Sequence, residues 1–143
     1  MIGGTSNIMD KSGLRKEKQL NKEIRISDNS VVTAAVNHVE INAVNFPDEG
    51  FREYVSRNFD NNGAGFLCQE EINKVRSVNV SFNDKITNLK GIEFFCGLKR
   101  LVCCGTKIKN LDVSKNASLI YLDCSYTKIK ELDITRNIRL EDL

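Results

Sequence analysis

An α/β solenoid, in which a short parallel sheet grows rung by rung behind a small helical cap, is the fold the sequence predicts. Three observations lead there. The stretch TKIKNLDV at 106–113 returns as TKIKELDI at 127–134, 21 residues later. Within each 21-residue unit the leading apolar residues fall at places one, four and six, and the last two alternate with the period of a strand. Ahead of the units, Phe51, Tyr54, Val55 and Phe59 keep the three- and four-residue spacing of a helix.

The units 98–118 and 119–139 align without a gap, and 75–97 holds the same apolar order with one extra residue before Ile86 and another before Leu98. A truncated fourth unit begins at Leu140. The leading positions are Val75, Val78 and Val80, then Leu98, Leu101 and Cys103, then Leu119, Leu122 and Cys124. A strand this short cannot bury its own apolar face, so each unit needs a neighbour stacked against it, which is why such repeats occur in series. The return segments LDVSKN (111–116) and LDITRN (132–137) are too short for an ordinary helix. They are rich in residues that bond their own turns, which predicts extended or single-turn structure on the convex side. Cys103 and Cys124 read as small buried residues stacked in a ladder, since a free cysteine behaves as a small hydrophobe.

This pattern resembles the leucine-rich repeat, whose L-x-x-L-x-L-x-x-N-x-L core is matched with cysteine at the sixth place and Thr106 or Thr127 at the ninth, while Asn83 keeps the family residue in the first unit. A threonine hydroxyl replaces part of what the asparagine does in that family, lacking the amide donors. The resemblance implies a leucine-rich repeat solenoid over 75–143 with its short parallel sheet on the concave face.

The helix-periodic segment has Pro47 early and Asp48 and Glu49 in its first turn, which are helix-start signals. With the following DNNGAGFLCQEEI (60–72) it looks like the N-terminal cap of bacterial surface leucine-rich repeat proteins, where a helix leads into a turn like a calcium loop. This assigns 40–74 to the cap and 1–39 to a flexible or weakly structured lead-in, with a short helix at 14–24. Read as an EF-hand loop, Asp60, Asn62, Phe66 and Glu71 occupy ligand positions and Gly65 the sharp turn. Ala64 offers no oxygen where the motif wants one, and Cys68 is soft where a hard cation prefers oxygen. The expectation is a loop kept for its shape, with no cofactor beyond weak calcium binding.

The 143 residues are 41% hydrophobic, with 21 Lys and Arg against 19 Asp and Glu and a net charge of +2. Signs so interspersed argue against nucleic acid as a partner. No run reaches the length of a membrane span, and the polar first 30 residues lack the apolar core of a secretory signal. The five cysteines show no zinc spacing, and the lone His38 has no motif-placed carboxylate or nucleophile, so no enzyme chemistry is expected.

Function would then live on the exposed strand positions, places three, five, seven and eight of each unit. Ser77, Asn79, Ser81 and Phe82 hold them first, then Arg100, Val102, Cys104 and Gly105, then Tyr121, Asp123, Ser125 and Tyr126. Among these, Phe82, Arg100, Tyr121, Asp123 and Tyr126 are the expected contacts to a protein ligand, because aromatic and arginine side chains anchor interfaces. The resemblance implies an extracellular or cell-surface recognition or adhesion module. The alternatives are the targeting part of a larger secreted enzyme or wall protein, and a calcium-regulated binding module. Leu140 and Leu143 begin a unit with nothing beyond it, which predicts an apolar C-terminal edge, unpaired strand hydrogen bonds and self-association.

Overall fold

The computed structural model describes residues 38–143. The expected helix at 14–24, and all of the expected lead-in except its last two residues, lie outside the described part. Those two, His38 and Val39, belong to strand β1 (His38–Glu40), which pairs antiparallel with β2 (Phe66–Cys68), Val39 facing Leu67. A three-residue strand carries too little pattern to announce itself in the sequence.

Helix α1 (Glu49–Phe59) forms where the apolar spacing places it, with Phe51 and Val55 fully buried and Tyr54 and Phe59 half-buried. Asp48 stands one place outside the helix as its N-cap. Its Oδ1 accepts from the Phe51 N–H at 2.9 Å. Its Oδ2 accepts from the Thr87 N–H at 2.8 Å, the Thr87 hydroxyl at 3.1 Å and the Asn88 N–H at 3.1 Å. One carboxylate therefore starts the helix and ties it to the first repeat. The Tyr54 hydroxyl makes a second tie, accepting from the Asn79 N–H at 3.1 Å.

Aromatic rings fill the join. Phe46 meets Phe51 edge-on with ring centroids 5.9 Å apart, and Phe59 meets Phe95 at 5.4 Å. Gly91 is required here. It has φ +109°, and a Cβ at that position would lie 2.2 Å from the Phe46 ring, so any side chain would both strain the backbone and drive the ring from its pocket. Helix α2 (Gln69–Lys74) then delivers the chain to the first rung.

Strands β3 (Ser77–Asn79), β4 (Arg100–Val102) and β5 (Tyr121–Asp123) make a three-stranded parallel sheet in sequence order. Val78, Leu101 and Leu122 stand in register across it, all fully buried. Val75, Val80, Leu98, Cys103 and Leu119 join them in one continuous core, and Cys124 is half-buried beside it. The return segments are irregular and turn-rich apart from a single 3-10 turn at Ile92–Phe94.

Each return segment is tied to its predecessor by an asparagine. The Asn116 amide donates to the carbonyls of Ile92 and Phe95 at 2.9 and 3.1 Å, and the Asn137 amide to those of Val113 and Asn116 at 2.9 and 3.0 Å. Both side chains are buried, so each satisfies two carbonyls that water does not reach.

The far edge of the sheet differs from expectation. The Leu122 N–H donates to the Asp142 carbonyl at 3.0 Å, and the Glu141 and Asp142 N–H groups both donate to the Ile120 carbonyl. The four residues of the fourth unit thus suffice for a parallel bridge to Tyr121, and the outward Leu122 N–H and Ile120 carbonyl are bonded rather than left open. The apolar side chains around this edge, Ile129, Leu132, Ile134 and Leu140, remain half-buried.

Candidate interaction face

As each strand ends, its chain turns through one residue in the left-handed region. These residues occupy the same place in the three units: Phe82 (φ 57°), Gly105 (φ 71°) and Tyr126 (φ 55°). Only the middle one is a glycine. Bulky side chains in this conformation cost of order 1–2 kcal/mol each. They nevertheless stand in the open, Phe82 74% and Tyr126 86% exposed.

Gly105 makes the arrangement fit. A Cβ on it would lie 2.4 Å from the Phe82 ring, so the ring lies directly against the bare backbone of the next rung. The turn backbones continue the sheet's hydrogen bonding, with the Phe82 N–H donating to the Cys104 carbonyl at 2.8 Å and the Gly105 N–H to the Ser125 carbonyl at 2.9 Å.

On the strands, the Arg100 guanidinium lies over the Tyr121 ring, 4.0 Å from its centroid. Asp123 accepts from the Ser125 hydroxyl at 2.6 Å and the Ser125 N–H at 3.0 Å. Those bonds, aided by the Cys104 thiol and Arg100, hold its carboxyl below the usual aspartate range despite some desolvation. Of the residues the alternation marks as exposed, Val102 departs, being 6% exposed. It sits on the middle strand between Asn79 and Asp123, and a small side chain flanked on both sides is covered by its neighbours.

Beneath the face, Val80, Cys103 and Cys124 stack at the sixth place of successive rungs. Burial pushes the Cys103 thiol up to about 12, with Cys124, Asp123 and Cys104 adding to it, and burial also raises Cys124. Burial thus favours the protonated form of both thiols. The ninth-place threonines close each turn: Thr106 donates its hydroxyl to the Cys103 carbonyl and Thr127 to the Cys124 carbonyl, each at 2.7 Å. Asn83 works differently, its side-chain oxygen accepting from the Lys85 N–H at 3.1 Å.

The loop at 60–71 puts its oxygens to internal use. Asp60 accepts from the Ala64 and Gly65 N–H groups at 3.0 and 2.9 Å, and Asn62 also accepts from the Ala64 N–H. Glu71, nearly buried, accepts from the Asn61 and Cys68 N–H groups at 2.9 and 3.0 Å, and these bonds, Cys68 first, hold its carboxyl below the usual range. Phe66 lies in β2, its ring 4.8 Å from that of His38.

Sequence reasoning did not find the functional part of Asn116 and Asn137, although an asparagine at the same place of both complete units was the available signal. It also did not foresee the left-handed backbone at Phe82 and Tyr126. That could have been suspected from Gly105 holding the equivalent place between them.

A parallel sheet grown one strand per repeat, with a stacked core and a helical cap, defines a leucine-rich repeat protein. The solved functional domain of InlJ from Listeria monocytogenes, described as including a cysteine ladder, superposes with a TM-score of 0.67 at 30% identity, covering 76% of this chain and 24% of that one. Internalin J of Listeria monocytogenes serotype 4b (strain F2365) is 33% identical over 71 residues, half of this chain but 8% of its own length. An internalin, inlF, of strain 4b F2365 shares the fold with a TM-score of 0.66 at 20% identity, covering 79% of this chain and 33% of its own. No protein-family profile matches the chain. The chain thus has the leucine-rich repeat fold and is similar to the internalins of Listeria monocytogenes, and it spans only a small part of the length of these relatives.

Proposed function

We propose that this chain is a non-catalytic protein-binding module of the bacterial cell surface, and that it binds through the concave side of its sheet with Phe82, Arg100, Tyr121, Asp123 and Tyr126. One observation carries the reading. Two large aromatic residues are held in a costly left-handed conformation at equivalent turns while remaining exposed, Phe82 resting only against the Gly105 backbone, so little of their strain is repaid by burial within the fold. Arg100 and Tyr121, stacked on one another, extend the same chemistry along the strands. Similarity to Internalin J and to the InlJ functional domain supports placement on the cell surface.

The test separates binding from folding. Replacing Phe82 and Tyr126 with glycine relieves strain, so the melting temperature should hold or rise, whereas attachment of protein-coated beads to cultured epithelial cells should fall sharply. Unchanged attachment by a folded double variant would exclude this face. For the loop at 60–71 we propose a bracing role, because its carboxylate oxygens are engaged by backbone donors. Calorimetry should show calcium binding no tighter than the millimolar range of weak extracellular sites, and micromolar binding would overturn the bracing role.

A further inference from the structure

The repeated TKIK does something the sheet face does not need. Ile108 lies in the core with no exposure, and the lysines on either side of it point away into solvent. Ile129 is flanked in the same way. Backbone hydrogen bonds between rungs, Lys107 N–H to the Ile86 carbonyl and Lys128 N–H to the Ile108 carbonyl at 3.3 and 2.9 Å, fix these segments in register. Lys85, Lys107 and Lys128 consequently form one column, with Lys109 and Lys130 forming a second beside it, at a rung spacing of about 4.8 Å.

Like charges set opposite one another on neighbouring strands are destabilising. The cost is not offset locally. Among the described residues the ion pairs are Arg57–Glu53 and Lys74–Glu70, and none involves these five lysines. Elsewhere the same solenoid sets an acid near its repeated cations: the Asp112 and Asp133 carboxyls, lowered chiefly by their hydrogen bonds from Ser114 and Thr135, are lowered further by Lys115 and Arg136. The lysine columns border an open depression of about 810 Å³ lined by Lys109, Lys128 and Lys130, with Glu131 as its single lining carboxylate among the described residues.

We propose that these columns bind an extended acidic polysaccharide, sulfated or carboxylated. Regular charges along the solenoid match a polymer of regular charges, and ammonium groups on flexible stems tolerate the varied positions of anionic substituents on a sugar chain. The absence of arginine forks and aromatic rings from the lining of this depression removes the means of phosphate forking and base stacking that nucleic-acid sites use. This inference is independent of the sheet face, since it uses none of its residues.

The test uses the full chain and heparin chains as the probe, with neutral dextran and duplex DNA alongside. A variant with Lys107, Lys109, Lys128 and Lys130 changed to glutamine is compared with one in which Lys90, Lys115, Arg136 and Arg139 are changed, so that both lose the same charge. The first should lose about tenfold or more in heparin affinity with a shallower salt dependence, as expected when polymer counterions are no longer released. The second should bind like the unaltered chain, and dextran should not bind. Equal loss in both variants would reduce the effect to net charge. Duplex DNA bound as tightly as heparin, with the same dependence on the columns, would make the site a nucleic-acid surface. No heparin binding would dismiss the site.

Discussion

The segments 106–113 and 127–134 differ at two of eight letters, yet the molecule treats them differently. Thr106, Ile108 and Val113 are buried, with Ile108 and Val113 fully so. Thr127, Ile129 and Ile134 are half-buried. The first segment has a rung on either side. The second has unit 98–118 on one side, while residues 140–143 on the other reach only as far as β5. Burial in a solenoid is therefore conferred by the neighbour rather than by the repeat's own letters. Each interaction in a unit can be sorted by whether it depends on the following rung, the preceding rung or neither.

Core packing depends on the following rung and should separate the two segments most. Ile108→Ala leaves a cavity closed on both sides and is expected to cost about 2–5 kcal/mol. Ile129→Ala should cost roughly half as much or less, since part of that side chain is already wet and the site can relax. Urea denaturation of the two variants measures the difference. Equal losses would mean that the C-terminal rung is packed as tightly as the central one.

The asparagine ladder depends on the preceding rung and should not separate them. Asn116 and Asn137 each donate to two carbonyls of the unit before, and both side chains are buried. Each change to alanine strands those carbonyls and should cost about 1–3 kcal/mol, alike at the two positions. A much smaller loss at Asn137 would show that water replaces its amide there, and that the last return segment opens in solution.

The same sorting explains what the sequence made legible. Places one, four and six recur because every rung must present the same face to its neighbours, and eight of the nine residues so marked are buried, with Cys124 the half-buried ninth. Helix α1 was equally plain, its apolar spacing and start signals falling within a single segment. The pairing of β1 with β2 was not legible, because three residues with a single inward side chain carry no period. Asp48 shows a different limit: a residue expected in the first turn of α1 proves to be its cap, and its second oxygen reaches 39 and 40 residues ahead, which no local pattern encodes. On the candidate face, the exposed aromatics were visible as residue types in the right places. Their strain was hidden, since backbone angle is set by the turn and not by the side chain.

Ninth-place threonines lie between the extremes. Each hydroxyl donates to a carbonyl of its own turn at 2.7 Å, so the bond itself is local, but Thr106 is buried and Thr127 is not. Thr106→Val removes the hydroxyl at nearly constant volume and leaves the Cys103 carbonyl without its donor, at an expected cost of about 1 kcal/mol. Thr127→Val should cost less, because water reaches the Cys124 carbonyl. Thermal melts that rank the two in the opposite order would place Thr127 deeper in solution than its exposure indicates.

The smallest difference should come from interactions that need no neighbour. Asp112 accepts from the hydroxyl and the N–H of Ser114 at 2.6 and 2.9 Å, and Asp133 accepts in the same way from Thr135 at 2.6 and 2.9 Å. Those hydrogen bonds, the side-chain one foremost, hold both carboxyls below the usual aspartate range. A carboxyl depressed in the folded state contributes stability that is complete above its unfolded value, about 3.9 for aspartate, and is lost as pH falls through the folded value. Asp112→Ala and Asp133→Ala should thus destabilise the chain slightly and equally at neutral pH. Each difference from the unaltered protein should shrink as the pH is lowered below about 4, where the carboxylate is protonated in either state. Melting curves at neutral and acid pH test this directly. A loss at Asp112 clearly exceeding that at Asp133 would show that even this turn takes part of its strength from the rung stacked beside it.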